Sequence, residues 1–428
     1  MTGLRSRTTE CVCRFRISKM RHFFCFFFIL SVTAALDAPA IFAQPYGVSG
    51  GNNLMPASGG MGGTSVARPQ DFLSAINFNP AALTQYEGTQ FTLAGTWAEP
   101  TFNLDQRVSL PPPVDVDPFS AKSSTPGILA PNIGVFQQME IGGRDMHVGL
   151  ALISASGLGT SFLHVPAANG TSSYLLCLEL APSVGFQLTD DLAIGAGIFL
   201  GTAFLEGPYV ARSAMQNDYA LRANLGIDYD VSDETNVGLY WKTRQNFTFH
   251  NQEVLIPGTR GIDVHLGLPE QFGAGIANSS LVDGRLLLAA DVLYFMWDTA
   301  DFWKNQYRNQ WILQLGMQFE LNDRLKIRAG YDFAENPIDD NVGTTGIPGV
   351  DNVRKYTQAQ FGVINENRFT FGVGAVDVLP GLDFDFFAGG MPRVSHNFGA
   401  NTSVNLESYW IGAGLTWRFS DMYFIERR

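Results

Sequence analysis

Gly47-Val48-Ser49-Gly50-Gly51 has the spacing of a nucleophile elbow, in which a serine held between glycines attacks an acyl group. That chemistry needs a strand before the serine and a helix after it, and the Gly-, Ser-, Asn- and Ala-rich residues 44–88 have the pattern of neither. Beyond residue 43, His147, His164, His250, His265 and His396 lack the paired spacing of a metal site. There is no G-x-x-x-x-G-K loop to cradle a phosphate. Asp190-Asp191 reads as a turn rather than as an acid–base pair. The acidic stretch PPPVDVDP (111–118) fits a solvated loop, or one holding a divalent ion that bridges lipopolysaccharide. The sequence therefore predicts no catalytic residue, no metal, no cofactor and no enzyme. Function must lie in the elements that carry these residues.

Those elements are strands. In QWILQLGMQFELNDRLKIRAGYDF (310–333), one face carries Trp311, Leu313, Leu315, Met317 and Phe319. After the turn at Asn322-Asp323 that face continues with Leu325, Ile327, Ala329, Tyr331 and Phe333. The other face carries Gln310, Gln314, Gln318, Glu320, Arg324, Lys326, Arg328 and Asp332. Strict alternation around a tight turn predicts an antiparallel pair. Only 16% of the 428 residues are charged, 12% are aromatic and 45 are glycine. No capped helical run of about 12 residues or more is legible after residue 90. The chain reads as all-β.

The first 43 residues differ in kind. Arg5, Arg7, Arg14, Arg16, Lys19 and Arg21 precede the apolar stretch FFCFFFILSVTAAL, and a small residue at Ala43 offers a cleavage point. This is the layout of a secretory signal peptide, too short in its apolar part to span a bilayer, with Met1 or Met20 as the start. Cys11, Cys13 and Cys25 would leave with it, so Cys177 has no partner for a disulfide. The remaining chain has 22 basic and 38 acidic residues, a balance of −16, which excludes a nucleic-acid partner.

Fourteen strands are expected between residues 89 and 419, among them 145–157, 235–247 and 382–390. Their connections alternate in length. Long ones fall at 100–129, 158–173, 205–217, 248–268, 298–308, 334–367 and 391–405, and tight turns lie between them. A soluble sandwich has no reason to gather its long loops at one end, whereas an outer-membrane barrel does. Leu221, Ala223, Leu225, Ile227 and Tyr229 form one almost uncharged column; Leu286, Leu288, Ala290, Val292 and Tyr294 form another. The opposite columns hold Arg222, Asn224, Asp228, Lys242, Arg244, Arg285, Asp291 and Arg418. So many charges cannot close on a dry core, but they can line a lumen while the apolar column faces lipid. The expectation is an antiparallel transmembrane β-barrel in the Gram-negative outer membrane.

Several stretches carry a family resemblance. GGMGGTSVARPQDFLSAINFNPAALT (59–84), with Asn79-Pro80-Ala81, resembles the N-terminal signature of the FadL/TodX outer-membrane transporters of long-chain fatty acids and aromatic hydrocarbons. LPEQFGAGIANSSLVDGRLLLAADVLYFMWDTADF (268–302) and NDRLKIRAGYDFAENPI (322–338) are similar to later segments of that family. With the signal peptide at 1–43 and a tail at 420–428 set aside, the resemblance implies a fourteen-stranded barrel at 89–419 plugged by an N-terminal hatch at 44–88 in the lumen. It implies passive uptake of a hydrophobic small molecule, with hatch gating at Asn79, Pro80 and Ala81. It also implies a sideways exit beside a kinked third strand, here placed at Ser156, Gly157 and Gly159; the alternative is that these glycines begin a loop. Expected partners are the hydrophobic substrate, outer-membrane lipid and lipopolysaccharide, and the barrel is expected to be a monomer. A general porin and a structural or adhesion barrel are the rival readings. No substrate-binding residue is assigned, and the family's carboxylate-binding basic residues find no matching positions.

Overall fold

The computed structural model describes residues 51–112, 114–141, 144–206, 215–253, 261–342, 344–362 and 364–419. The expected signal peptide, the Gly47–Gly50 part of the elbow motif and the tail after Phe419 lie outside the described residues.

Alternating sequence produces a closed antiparallel wall of fourteen strands. In chain order the first are β1 (Thr89–Gln106), the short β2 (Phe119–Lys122), β3 (Ile128–Ile141), β4 (Arg144–Ser161), β5 (Ser172–Gln187) and β6 (Leu192–Glu206). Next come β7 (Gln216–Ser232), β8 (Thr235–Lys242), β9 (Gln245–Glu253), β10 (Ile262–Leu268), β11 (Glu270–Leu281) and β12 (Leu286–Met296). The last are β13 (Gln310–Asn322), β14 (Leu325–Ala334), β15 (Asn367–Leu379), β16 (Leu382–Phe398) and β17 (Thr402–Arg418). Strand β2 adds to the outer end of β1, and β9 with β10 forms a separate hairpin. The other fourteen pair in sequence, and β17 returns to β1 over the register Gln90–Arg418 to Gln106–Thr402. Closure pairs the first strand with the last, so that most of the backbone is satisfied within the wall, as strands in hydrocarbon require. Among the described residues no helix is long and apolar enough to cross a membrane.

The apolar columns point outward: Leu225, Ile227, Leu239, Leu313 and Leu315 are exposed, while Asn224, Asp228, Lys242, Asp291 and Asp332 are buried. Two residues expected to face the lumen do not. Burial changes phase between Lys242 and Gln245, where the chain leaves β8, so Arg244 is exposed. Arg285 lies in the turn before β12, where its guanidinium donates to the carbonyls of Glu320 and Leu321. The segment 391–405, expected as a long loop, instead continues β16 and β17, which stay paired to Phe398–Thr402 and turn at 399–401. A helix also forms where none was expected, over Pro348–Gln360. Its N-cap is Ile347, without a side-chain cap, so the usual Ser, Thr, Asp or Asn signal is missing; Pro348 at the first position starts it.

Candidate transport path

Residues 51–86 form short helical turns, nearly all buried, against the inner face of the wall. We number the α-helix Phe72–Asn77 α1 and Pro348–Gln360 α2. Asp71 caps α1: its Oδ1 accepts from the N–H and hydroxyl of Ser74, and its Oδ2 accepts from the N–H groups of Ala57 and Ser58. One carboxylate thus ties the helix to the preceding turn. Burial pushes its pKa above the ordinary aspartate value, with these hydrogen bonds opposing the shift.

The segment's larger apolar cluster faces one side of the barrel, and most of its hydrogen bonds face the other. Phe72, Leu73, Ile76 and Leu83 pack with Phe136, Ala151, Ile153 and Phe199 of β3, β4 and β6. On the remaining wall a smaller apolar cluster, Met61 and Ala67 with Ala277, Leu287 and Ala289, is joined by many hydrogen bonds. Asp291 accepts from Ser65 and Val66 N–H at 2.6 and 3.0 Å, Asp332 accepts from Asn53 at 3.0 Å, and Thr370 accepts from Gly62 N–H at 2.9 Å. Asn224 donates to the Phe78 carbonyl, and Lys242 donates to Asn77 Oδ1 at 2.9 Å while lying over the Phe199 ring. Polar columns that faced no visible partner in the sequence are therefore anchors for this segment. The other buried cations pair with carboxylates: Arg222 with Glu179, Arg328 with Asp385 and Arg368 with Asp332.

Wall glycines create the room for this contact. A Cβ on Gly226 would sit 2.1 Å from Asn79 Oδ1, on Gly195 2.2 Å from Ala81 N, on Gly238 2.2 Å from Val66 O and on Gly330 2.0 Å from Gly62 N. At Gly195, Gly238 and Gly330 backbone meets backbone, and at Gly226 backbone meets the Asn79 side chain, a closeness that glycine allows. Asn79-Pro80-Ala81 is thus seated on β6 and β7. Asn79 Nδ2 also donates to the carbonyls of Val66 (2.7 Å) and Ile227 (3.0 Å), and its Oδ1 caps the turn at Ala81.

Ser156, Gly157 and Gly159 lie apart from that trio, on the outer half of β4. They do not begin a loop, because β4 stays paired with β5 to Ser161, with a register shift between Ser154 and Ser156. The opposite edge of β4 is different. Its ladder with β3 stops at Ile133–Leu152, although β3 remains paired with β1 to Ile128. Pro131, which has no N–H, lies just above the stop. Side chains span the window that results: Asn132 Oδ1 accepts from Ser154 N–H at 3.1 Å, and the Ser154 hydroxyl donates to the Pro131 carbonyl at 2.8 Å. At the outer end, Ser161 N–H donates to the Ser123 hydroxyl and Ser124 N–H to the Ser161 carbonyl. Asn132 also reaches inward, donating to the Leu54 carbonyl at 3.1 Å.

Above the N-terminal segment the interior is aromatic. Trp297, Trp303, Tyr307 and Phe361 stack edge to face, and Phe102, Phe119, Phe162 and Tyr356 form a second group. Helix α2 roofs both: Tyr356 donates to Thr171, and Gln360 Oε1 accepts from Thr160 at the outer end of β4. All but Trp297 of these apolar residues fall in the stretches expected as long connections, where alternation gives no direction, although Phe102 and Phe119 lie in β1 and β2 and Tyr356 in α2. Among the described residues, no group of three His, Cys, Asp or Glu is placed to hold a metal.

A wall of fourteen strands, a segment filling its lumen and a side window can be compared with known proteins. The family model of outer membrane protein transport proteins (OMPP1/FadL/TodX) matches residues 55–290, more than half of the chain. Among solved structures, the P. putida toluene transporter TodX aligns with a TM-score of 0.63 at 17% identity, covering 85% of this chain and 98% of that one. A Pseudomonas aeruginosa FadL homologue gives 0.60 at 15% identity, covering 89% and 100%. The Ralstonia pickettii toluene transporter TbuX gives 0.59 at 16%, covering 85% and 98%. At these identities the likeness is one of fold. A sequence search of curated proteins finds no match. The chain belongs to the OMPP1/FadL/TodX family of outer membrane transport proteins.

Proposed function

We propose that the protein takes up hydrophobic small molecules, long-chain fatty acids or aromatic hydrocarbons, passively across the outer membrane. The molecule enters the aromatic region under α2, is stopped by the N-terminal hatch, and leaves sideways through the β3–β4 window at Ser154–Thr160. The observation that carries this reading is the double role of Asn132, which bonds the hatch at Leu54 and the window at Ser154. Burial of an acyl chain is worth about 0.8 kcal/mol per methylene, roughly 10 kcal/mol gross for a long chain, so attraction needs no energy-coupling step. In this reading Asn79, Pro80 and Ala81 set how the hatch seats, the signal peptide is removed near Ala43, and the monomeric barrel contacts lipid and lipopolysaccharide directly.

Proteoliposome uptake tests the proposal. Labelled toluene or fatty acid should enter faster than a small sugar, and deleting residues 44–88 should abolish that preference by admitting the sugar. Equal sugar and toluene entry through the intact protein would point to a general porin instead.

A further inference from the structure

The wall has a second seam. The β7–β8 ladder ends at Asn224–Lys242, with one further backbone bond from Thr243 N–H to the Ala223 carbonyl at 2.9 Å, so among the described residues Gln216–Arg222 pair in the sheet only with β6. The chain that would continue the wall, β9, pairs only with β10. It leans over the inner face of β7. Gln245 Nε2 donates to the Ala220 carbonyl at 2.8 Å, and a Cβ on Gly201 of β6 would sit 2.4 Å from that nitrogen. Above that bond side chains bridge the seam in place of a ladder: the Thr243 hydroxyl accepts from Ala223 N–H at 2.9 Å, and Asp218 Oδ2 accepts from Thr248 N–H at 2.6 Å.

The seam lies at membrane height. Tyr219 and Tyr229 bracket the outward residues Leu221–Ile227. A strand of that length, rising about 3.3 Å per residue and tilted about 40°, covers about 25 Å, the height of a barrel's apolar band. Apolar surfaces flank the seam on both sides. Inside are the buried rings of Phe199, Phe247 and Phe249. Outside, directly below the last paired residues, is a groove of about 520 Å3 lined by Leu225, Leu239, Trp241, Phe272, Val292 and Trp311. Unpaired backbone in hydrocarbon is costly, and a seam held by side chains opens by rotamer changes without breaking a ladder.

We propose that the β7–β9 seam is a second lateral portal, through which apolar molecules dissolved in the outer leaflet enter the lumen from the outer groove. This rests on the uptake reading above and adds a membrane-side entrance to it.

The test uses full-length protein carrying Cys177→Ser, Asp218→Cys and Thr248→Cys, joined across the seam by a short bifunctional thiol reagent. It is reconstituted in vesicles with lipopolysaccharide outside and albumin trapped within. A labelled alkane is supplied either dissolved in the outer leaflet or added from water. Cross-linking should reduce leaflet-fed flux several-fold and leave water-fed flux unchanged. Thr243→Val, which removes one bridging hydrogen bond, should raise leaflet-fed flux by about fivefold. Leaflet-fed flux that ignores both changes overturns the portal, as does its loss only on cross-linking Asn132→Cys to Ser154→Cys. No flux by either route before cross-linking would instead overturn the uptake reading.

Discussion

Asn132 donates to the Leu54 carbonyl and accepts from the Ser154 N–H, both at 3.1 Å, so one side chain spans from the N-terminal segment to the unpaired edge of β4. Leu54 also accepts from Thr96, which keeps the segment attached if Asn132 is lost. Asn132→Ala should therefore loosen both regions without releasing either, each lost bond being worth about 1 kcal/mol. Hydrogen exchange should quicken together in peptides covering 51–60 and 150–158. Faster exchange in only one of them would show that the two are not coupled.

The wall glycines make a sharper prediction. Gly226→Val and Gly330→Val place a side chain where Asn79 and Gly62 now sit, so the segment must move while the strands keep their outward faces. Both variants should stay folded barrels by heat-modifiable gel migration and should leak small sugars. Asn79→Ala should act in the same direction more weakly, losing a cap worth about 1 kcal/mol. Gly95→Ala is the control, because its Cβ meets only Leu129 at an ordinary 3.4 Å.

The strands were legible because alternation has a period of two and a barrel has two opposite environments. Leu315 and Gln314 are told apart by that pattern alone. It failed where the period slipped: past Thr243 the phase reverses, and Arg244 turned outward. The window had a readable signal on both edges: Pro131, a residue without an N–H inside β3, and Gly157 and Gly159 in β4. Asn79, Pro80 and Ala81 were marked out by resemblance, and their seat on Gly195 and Gly226 needed three-dimensional proximity. Helix α2 and the Trp297–Trp303–Phe361 cluster had no capping or periodic signal to reveal them.

The outward column predicts its own energetics. Leu315 lies near the middle of the lipid-facing column of β13. Leu315→Arg should destabilise the barrel by about 2–4 kcal/mol in equilibrium unfolding from lipid vesicles. A negligible change would mean that this face does not meet hydrocarbon.

Arg222 and Glu179 form an ion pair at 2.6 Å with both side chains almost wholly buried. Arg222→Met alone should cost about 3–5 kcal/mol by stranding Glu179. The double variant Arg222→Met, Glu179→Met should recover most of that loss. Equal costs for the single and double variants would show that the pair serves packing rather than mutual neutralisation.

The most direct test of lateral exit closes the window. With Asn132→Cys and Ser154→Cys joined in a Cys177→Ser background, proteoliposome uptake of labelled toluene should fall to the rate of protein-free vesicles. Reduction should restore it. Undiminished uptake through the joined protein would contradict the account, because the hydrophobic molecule would then be leaving by another route.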